Sequence, residues 1–148
     1  MKEFFKELFE YGHYFNQQLG VVFIDKSDKT SEKSVKLYNH ILNAHQIWNN
    51  RINPQQQLFG VWEMHLLQDL KEIELLNYEQ SLSILDNFDL NEIVHYTNVR
   101  NQAFSYSIRD MLFHAVNHTT YHWGQINTEF RNNGLEPLAV DFVLYKRR

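Results

Sequence analysis

Residues 111–128 read MLFHAVNHTTYHWGQINT, a stretch without Asp, Glu, Lys or Arg and with histidines at 114, 118 and 122. Positions four apart on an α-helix drift by only about 40°, so His114, His118 and His122 share one stripe, continued by Met111, Gln125 and Glu129. Leu112, Val116, Trp123, Ile126 and Phe130 occupy the opposite side. Spacing alone leaves the stripe readable as the polar face of an amphipathic helix. A solvated face of about five turns normally carries Lys, Glu or Arg, so the missing charge predicts a helix wrapped by protein on most sides. Buried imidazoles need partners, and several at ligand spacing favour a metal site.

HTTYH (118–122) has the two-ligand spacing of HExxH but lacks its glutamate, so no metalloprotease base is present. An eight-residue separation corresponds to ~12 Å of helical rise, too far for three ligands on one ion. One of the three histidines is therefore expected outside the ligand set, and another helix must contribute. His40 and His45 are the candidates. They lie about 140° apart around their helix and flank its apolar centre line at comparable angles, so periodicity leaves the choice open. His13, His65 and His95 are isolated and read as surface or satisfied core histidines.

Outward from this stretch, the pattern predicts four helices. The first covers roughly 2–19, with Phe4, Leu8, Tyr11, Phe15 and Leu19 at helical spacing, and breaks at Gly20 and the polar run 25–30. The second covers about 32–52, capped by Thr30 or Ser31, with Leu37, Ile41, Ala44 and Trp48 inward and Asn53-Pro54 at its end. The third covers about 61–87. EIVHYTNVRNQAFSYS (92–107) reads as two short strands turning near Asn101-Gln102. Ser107 to Asp110 resembles a capping box opening the fourth helix, which stops at Gly134. DFVLYKRR closes the chain as a short ordered segment whose Phe142 and Tyr145 pack back. The expected fold is all-α: an antiparallel four-helix bundle with a small β-hairpin before the last long helix, formed by residues 1–148 as one domain.

Composition narrows the function classes. A net charge of −4 offers no basic stripe for nucleic acid. No apolar run approaches the ~18 residues of a membrane helix, and the charged start MKEFFKELFEYGHYF does not read as a signal peptide. The expectation is a cytoplasmic protein without nucleic-acid or membrane partners. Cysteine is absent, so a metal site must use nitrogen and oxygen ligands.

Three segments carry a family resemblance: EYGHYFNQQL in the first helix, LYNHILNAHQIWNNRI (37–52), and VHYTNVRNQAFSYSIRDMLFHAVNHTTYHWGQI (94–126). Together they resemble the DinB-like (damage-inducible) bacterial family of metal-binding four-helix bundles. The resemblance implies one metal ligand on the second helix and two on the fourth, which fall on His40, His118 and His122, with His45 as a flanking residue. His114 becomes a hydrogen-bonding or substrate-facing neighbour, and Asn16, which matches the family's frequent asparagine, is expected with it behind the ligands or facing substrate. Gln125 and Asn117 are candidates to orient ligands, because ligating imidazoles usually hydrogen-bond through their second nitrogen. Two departures stand out: Trp123 where the family often has Arg, and Asn101 where its hairpin often has Gly.

Three neutral imidazoles would leave positions open for water or substrate on one divalent ion. Zinc suits such ligands first, and nickel, manganese or iron could use them too. The resemblance implies a metal-dependent enzyme acting on a small molecule, of the thiol-dependent S-transferase or hydrolase kind, with a low-molecular-weight thiol as possible cosubstrate and a homodimeric assembly. The rival is a non-enzymatic stress-related bundle in which the metal is structural or holds a ligand.

Overall fold

Helix boundaries follow local chemistry in α2 and α4. The computed structural model describes residues 1–148 and contains α1 (Lys2–Asp25), α2 (Glu32–Ile52), α3 (Leu70–Asn87), the strands β1 (Ile93–Thr97) and β2 (Ala103–Ser107), α4 (Ile108–Asn132) and a short α5 (Phe142–Lys146). Ser31 Oγ accepts from the Ser34 amide and Ser107 Oγ from the Asp110 amide, both at 3.1 Å, capping α2 and α4. Gly134 follows α4 at φ 71°, a left-handed conformation that glycine adopts without a Cβ penalty.

The four long helices form a bundle in which α2 packs chiefly on α4 and α3, and α1 on α3 and α4. The antiparallel hairpin pairs Val94 with Tyr106 and Tyr96 with Phe104. Its turn is held by Asn98 Oδ1, which accepts from the Arg100 and Gln102 amides at 2.9 and 3.0 Å. Asn101 sits at φ 58°, which asparagine tolerates better than most residues, so it can stand where glycine would otherwise be needed.

Two expected boundaries move. Helix α1 continues through Gly20 to Asp25 instead of breaking there. A Cβ at Gly20 would lie 3.2 Å from the Tyr38 hydroxyl, which donates to Asn16 O at 2.8 Å. Gly20 thus makes room for a helix–helix contact. Helix α3 starts at Leu70, after a 3₁₀ turn at Leu67–Asp69, and not near 61. Residues 53–66 form a loop laid along α2, for a reason given below.

The core has two apolar clusters. One joins Phe15, Leu19, Phe23, Ile41, Leu42, Trp123, Ile126 and Phe130; the other joins Phe5, Phe9, Ile84, Leu85, Ile108, Met111 and Leu112. Buried polar groups of α2 and α3 also pair inside the bundle. Ser81 Oγ meets His45 Nε2 at 2.7 Å and donates to Asn49 Oδ1 at 3.1 Å, while Asn77 Nδ2 donates to Leu42 O at 2.9 Å. Phe142 and Tyr145 of α5 pack back on Tyr11, as their pattern predicts.

Trp123 is a core residue, 1% exposed, with edge contacts to Tyr11 and Phe15 and its indole N–H donated to Asn16 Oδ1 at 2.9 Å. Trp123 thus packs as its place on the apolar side of the helix predicts, and Asn16 is a core acceptor rather than a group that faces substrate. Trp123→Ala is expected to cost about 3–5 kcal/mol in chemical denaturation. Trp123→Phe should cost about 1–3 kcal/mol, because Asn16 Oδ1 loses its donor.

His45 supplies a pH prediction. Burial pushes its pKa from 6.5 down to about 4. The unfolded chain therefore takes up the proton first on acidification, so this group's contribution to stability is lost as pH falls from about 6.5 towards 4. Burial raises the pKa of Glu74, which acts in the opposite direction. Urea midpoints measured from pH 7 to 4.5 should fall less steeply in His45→Gln than in the wild type.

Candidate metal centre

Helix α2 is buried on nearly every side, and its amide side chains explain how. Asn39, Asn43, Gln46 and Asn50 recur at three- and four-residue spacing and so share one face. Asn50 Oδ1 accepts from the Gln55 and Gln56 amides at 2.9 and 3.0 Å. Gln46 donates to Gln57 O at 2.9 Å and accepts from the Phe59 amide at 3.1 Å. Asn43 donates to Glu63 O at 2.8 Å, and Asn39 Oδ1 accepts from the His65 amide at 2.9 Å. The loop's backbone groups are satisfied by this ladder, so residues 61–66 have no need to become helix.

The ladder delivers the loop to His40. Val61 O lies 3.0 Å from His40 Nδ1, and the Trp62 ring stacks on the imidazole at 4.0 Å between centroids. Facing it across the bundle are His118 and His122 of α4. His40 Nε2 and His118 Nε2 are 3.0 Å apart, and His118 Nε2 and His122 Nε2 are 3.1 Å apart. His122 Nδ1 meets Gln125 Oε1 at 2.7 Å.

Proton placement makes this cluster unusual. A carbonyl oxygen only accepts, so His40 Nδ1 donates to Val61 O and His122 Nδ1 donates to Gln125 Oε1. Each neutral ring then presents a bare lone pair at Nε2. His118 Nε2 carries at most one proton and can share it with only one of its two neighbours. An added proton on His118 does not resolve the conflict at neutral pH. Burial first, then the neighbouring His122, His40 and His114, bring the His118 pKa down to about 3. Burial and His40 also lower His122, against an opposing hydrogen bond from Gln125.

The donor set fits a metal cation. Zinc–imidazole bonds of about 2.0–2.1 Å place tetrahedral nitrogens roughly 3.3 Å apart. The observed close pairs are 3.0 and 3.1 Å, and all three donor atoms lie within 4.8 Å of one another. Oxygen acceptors on the remote ring nitrogens supply the usual outer support of ligating histidines.

Beside the triad, an open cleft of about 520 Å³ is lined by His114, Asn117, His118, Thr120 and Tyr121. His114 is exposed, one turn from His118, with its ring 4.7 Å from Trp48. Asn117 is exposed on the same cleft and makes no side-chain contact with the triad's ring nitrogens. The expectation that α4 is wrapped on most sides is corrected. Phe113, Asn117, Tyr121, Gly124 and Thr128 are all exposed, leaving an uncharged face open. The remaining histidines have protein partners: His45 has Ser81, His13 has Glu74 at 2.8 Å, His65 has Asn43 at 2.7 Å and His95 has Ser105 at 2.7 Å.

Val61, Trp62 and the amide ladder escaped the sequence reading. Their one legible signal is the recurrence of Asn and Gln along a single α2 face. No curated protein and no solved structure matches the chain. The profile of the DinB family does match, over residues 24–148, a range that takes in His40, His118, His122 and the hairpin but little of α1. With the match spanning well over half its length, the chain belongs to the DinB family.

Proposed function

We propose that the protein binds one divalent metal ion through His40, His118 and His122 and uses it in chemistry on a small molecule, of the thiol-dependent transfer or hydrolytic kind. The observation that carries this reading is the convergence of two oxygen-fixed Nε2 lone pairs on His118. Zinc is the first candidate, with nickel, manganese or iron as alternatives for the same imidazoles. When bound, such an ion supplies Lewis acidity, lowering the pKa of a coordinated water or thiol.

The chain's own residues do the rest. Val61 O and Gln125 hold the tautomers of His40 and His122. Trp62 covers the His40 ring, while the cleft lined by His114 and Asn117 admits a small molecule. Without cysteine, a reacting thiol must arrive as a cosubstrate. The uncharged α4 face around Phe113 and Tyr121 suits a second copy, and the proposal includes a homodimer and a cytoplasmic setting, checked by light scattering and fractionation. No helix is long and apolar enough to cross a membrane.

Elemental analysis of protein prepared without a histidine tag is expected to find about one divalent ion per chain, lost on His118→Ala. Full occupancy in the triple variant His40→Ala/His118→Ala/His122→Ala would overturn the assignment. Gln125→Leu removes the acceptor that fixes His122 and should weaken metal binding ~10–100-fold. Because the three histidines tie α2 to α4, a structural role for the ion is the second reading. A large loss of melting temperature with chelator, together with no conjugation of electrophiles by any thiol, would favour it.

A further inference from the structure

A second cavity adjoins the triad's cleft. It encloses about 400 Å³ between α2, the hairpin and α4, lined by Trp48, Tyr96, Tyr106, Asp110, Met111 and His114. That volume suits a small molecule. His114 is common to both cavities, and its ring stands 5.6 Å from His118 and 4.7 Å from Trp48.

Arg51 stacks on two of the lining rings. Its guanidinium carbon lies 4.5 Å from the Trp48 centroid and 4.1 Å from that of Tyr96. Stacking fixes the plane of the group but uses none of its five N–H donors. Arg51 is half-buried and has no carboxylate partner, whereas the neighbouring Arg109 holds Asp110 at 3.3 Å. Asp110, the acidic group on the cavity wall, is thereby already paired. In a chain of net charge −4, an oriented and unpaired guanidinium beside an aromatic cavity is a local preference for anions.

We propose that this cavity takes the planar, anionic part of the small molecule handled at the triad. An aryl or similarly flat group lies against Trp48, Tyr96 and Tyr106, and its carboxylate is held by the Arg51 fork. Ring faces favour flat apolar groups, and the guanidinium matches a carboxylate with two parallel hydrogen bonds. His114 bridges from this pocket to the reacting end. The substrate class rests on the metal-site reading above; the pocket itself does not.

The test is calorimetric titration of zinc-loaded protein with 4-mercaptobenzoate and with its uncharged methyl ester. The wild type is expected to bind the acid about tenfold or more tightly than the ester. Arg51→Gln should abolish that preference, and Arg51→Lys should restore part of it, with zinc content unchanged in both. Equal affinity for the acid and the ester in the wild type would overturn the proposal without recourse to any variant. So would an Arg51→Gln loss that is the same for both probes. Should the wild type bind none of zinc, nickel, manganese and iron, the triad reading fails by itself, and benzoate on the metal-free protein reads the pocket. A shift of the Trp48 indole resonance that disappears in Arg51→Gln supports the pocket, and no shift overturns it.

Discussion

His40 and His122 each give their Nδ1 proton to a carbonyl oxygen, Val61 O in one case and Gln125 Oε1 in the other, and everything at the centre of this protein follows from those two bonds. They fix the tautomers, turn two bare Nε2 atoms towards His118 Nε2, and leave one shareable proton for two contacts of about 3 Å. A cation among the three nitrogens relieves that conflict. The burial that depresses the His118 pKa keeps an extra proton off that ring.

That constraint also accounts for the shape of the chain around it. Val61 can serve His40 only if the loop after α2 runs back along the helix, and an irregular loop brings its own unpaired amides and carbonyls. The side chains of Asn39, Asn43, Gln46 and Asn50 satisfy them. The amide face of α2 therefore serves as a template for backbone, in the manner of a strand edge, and the same contacts place Trp62 over His40. Opposite, the exposed side of α4 stays free of charge without being covered, so the cleft opens where His114 and Asn117 stand.

Much of the bundle was legible in the chain. The boundaries of α2 followed from the Thr30-Ser31 cap and Asn53-Pro54, those of α4 from Ser107 and Gly134, and the hairpin from the β-branched and aromatic residues within 92–107. These are local effects of capping, φ preference and side-chain period. Gly20 misled because its role is set by Tyr38, a residue on another helix. The start of α3 misled because residues 61–66 carry a helical pattern whose backbone finds its partners on α2 instead. The missing charge on α4 pointed to the right helix for a partly mistaken reason. Trp123 and Ile126 are buried, yet Phe113 and Tyr121 on the same helix are open.

By itself the sequence determined most of the helix boundaries, the hairpin and the common stripe of His114, His118 and His122, because capping and four-residue spacing act within one segment of chain; which two of the three bind came only from the family resemblance. Spacing left His40 and His45 equivalent, since they flank the same stripe at similar angles. The family resemblance pointed to His40, and the tertiary structure supplies the physical difference between them. His45 is turned to Ser81 and Phe9, where burial keeps it neutral, while His40 is turned to α4 and roofed by Trp62. That choice depends on which neighbours each side of α2 meets, and no spacing along a single helix contains it.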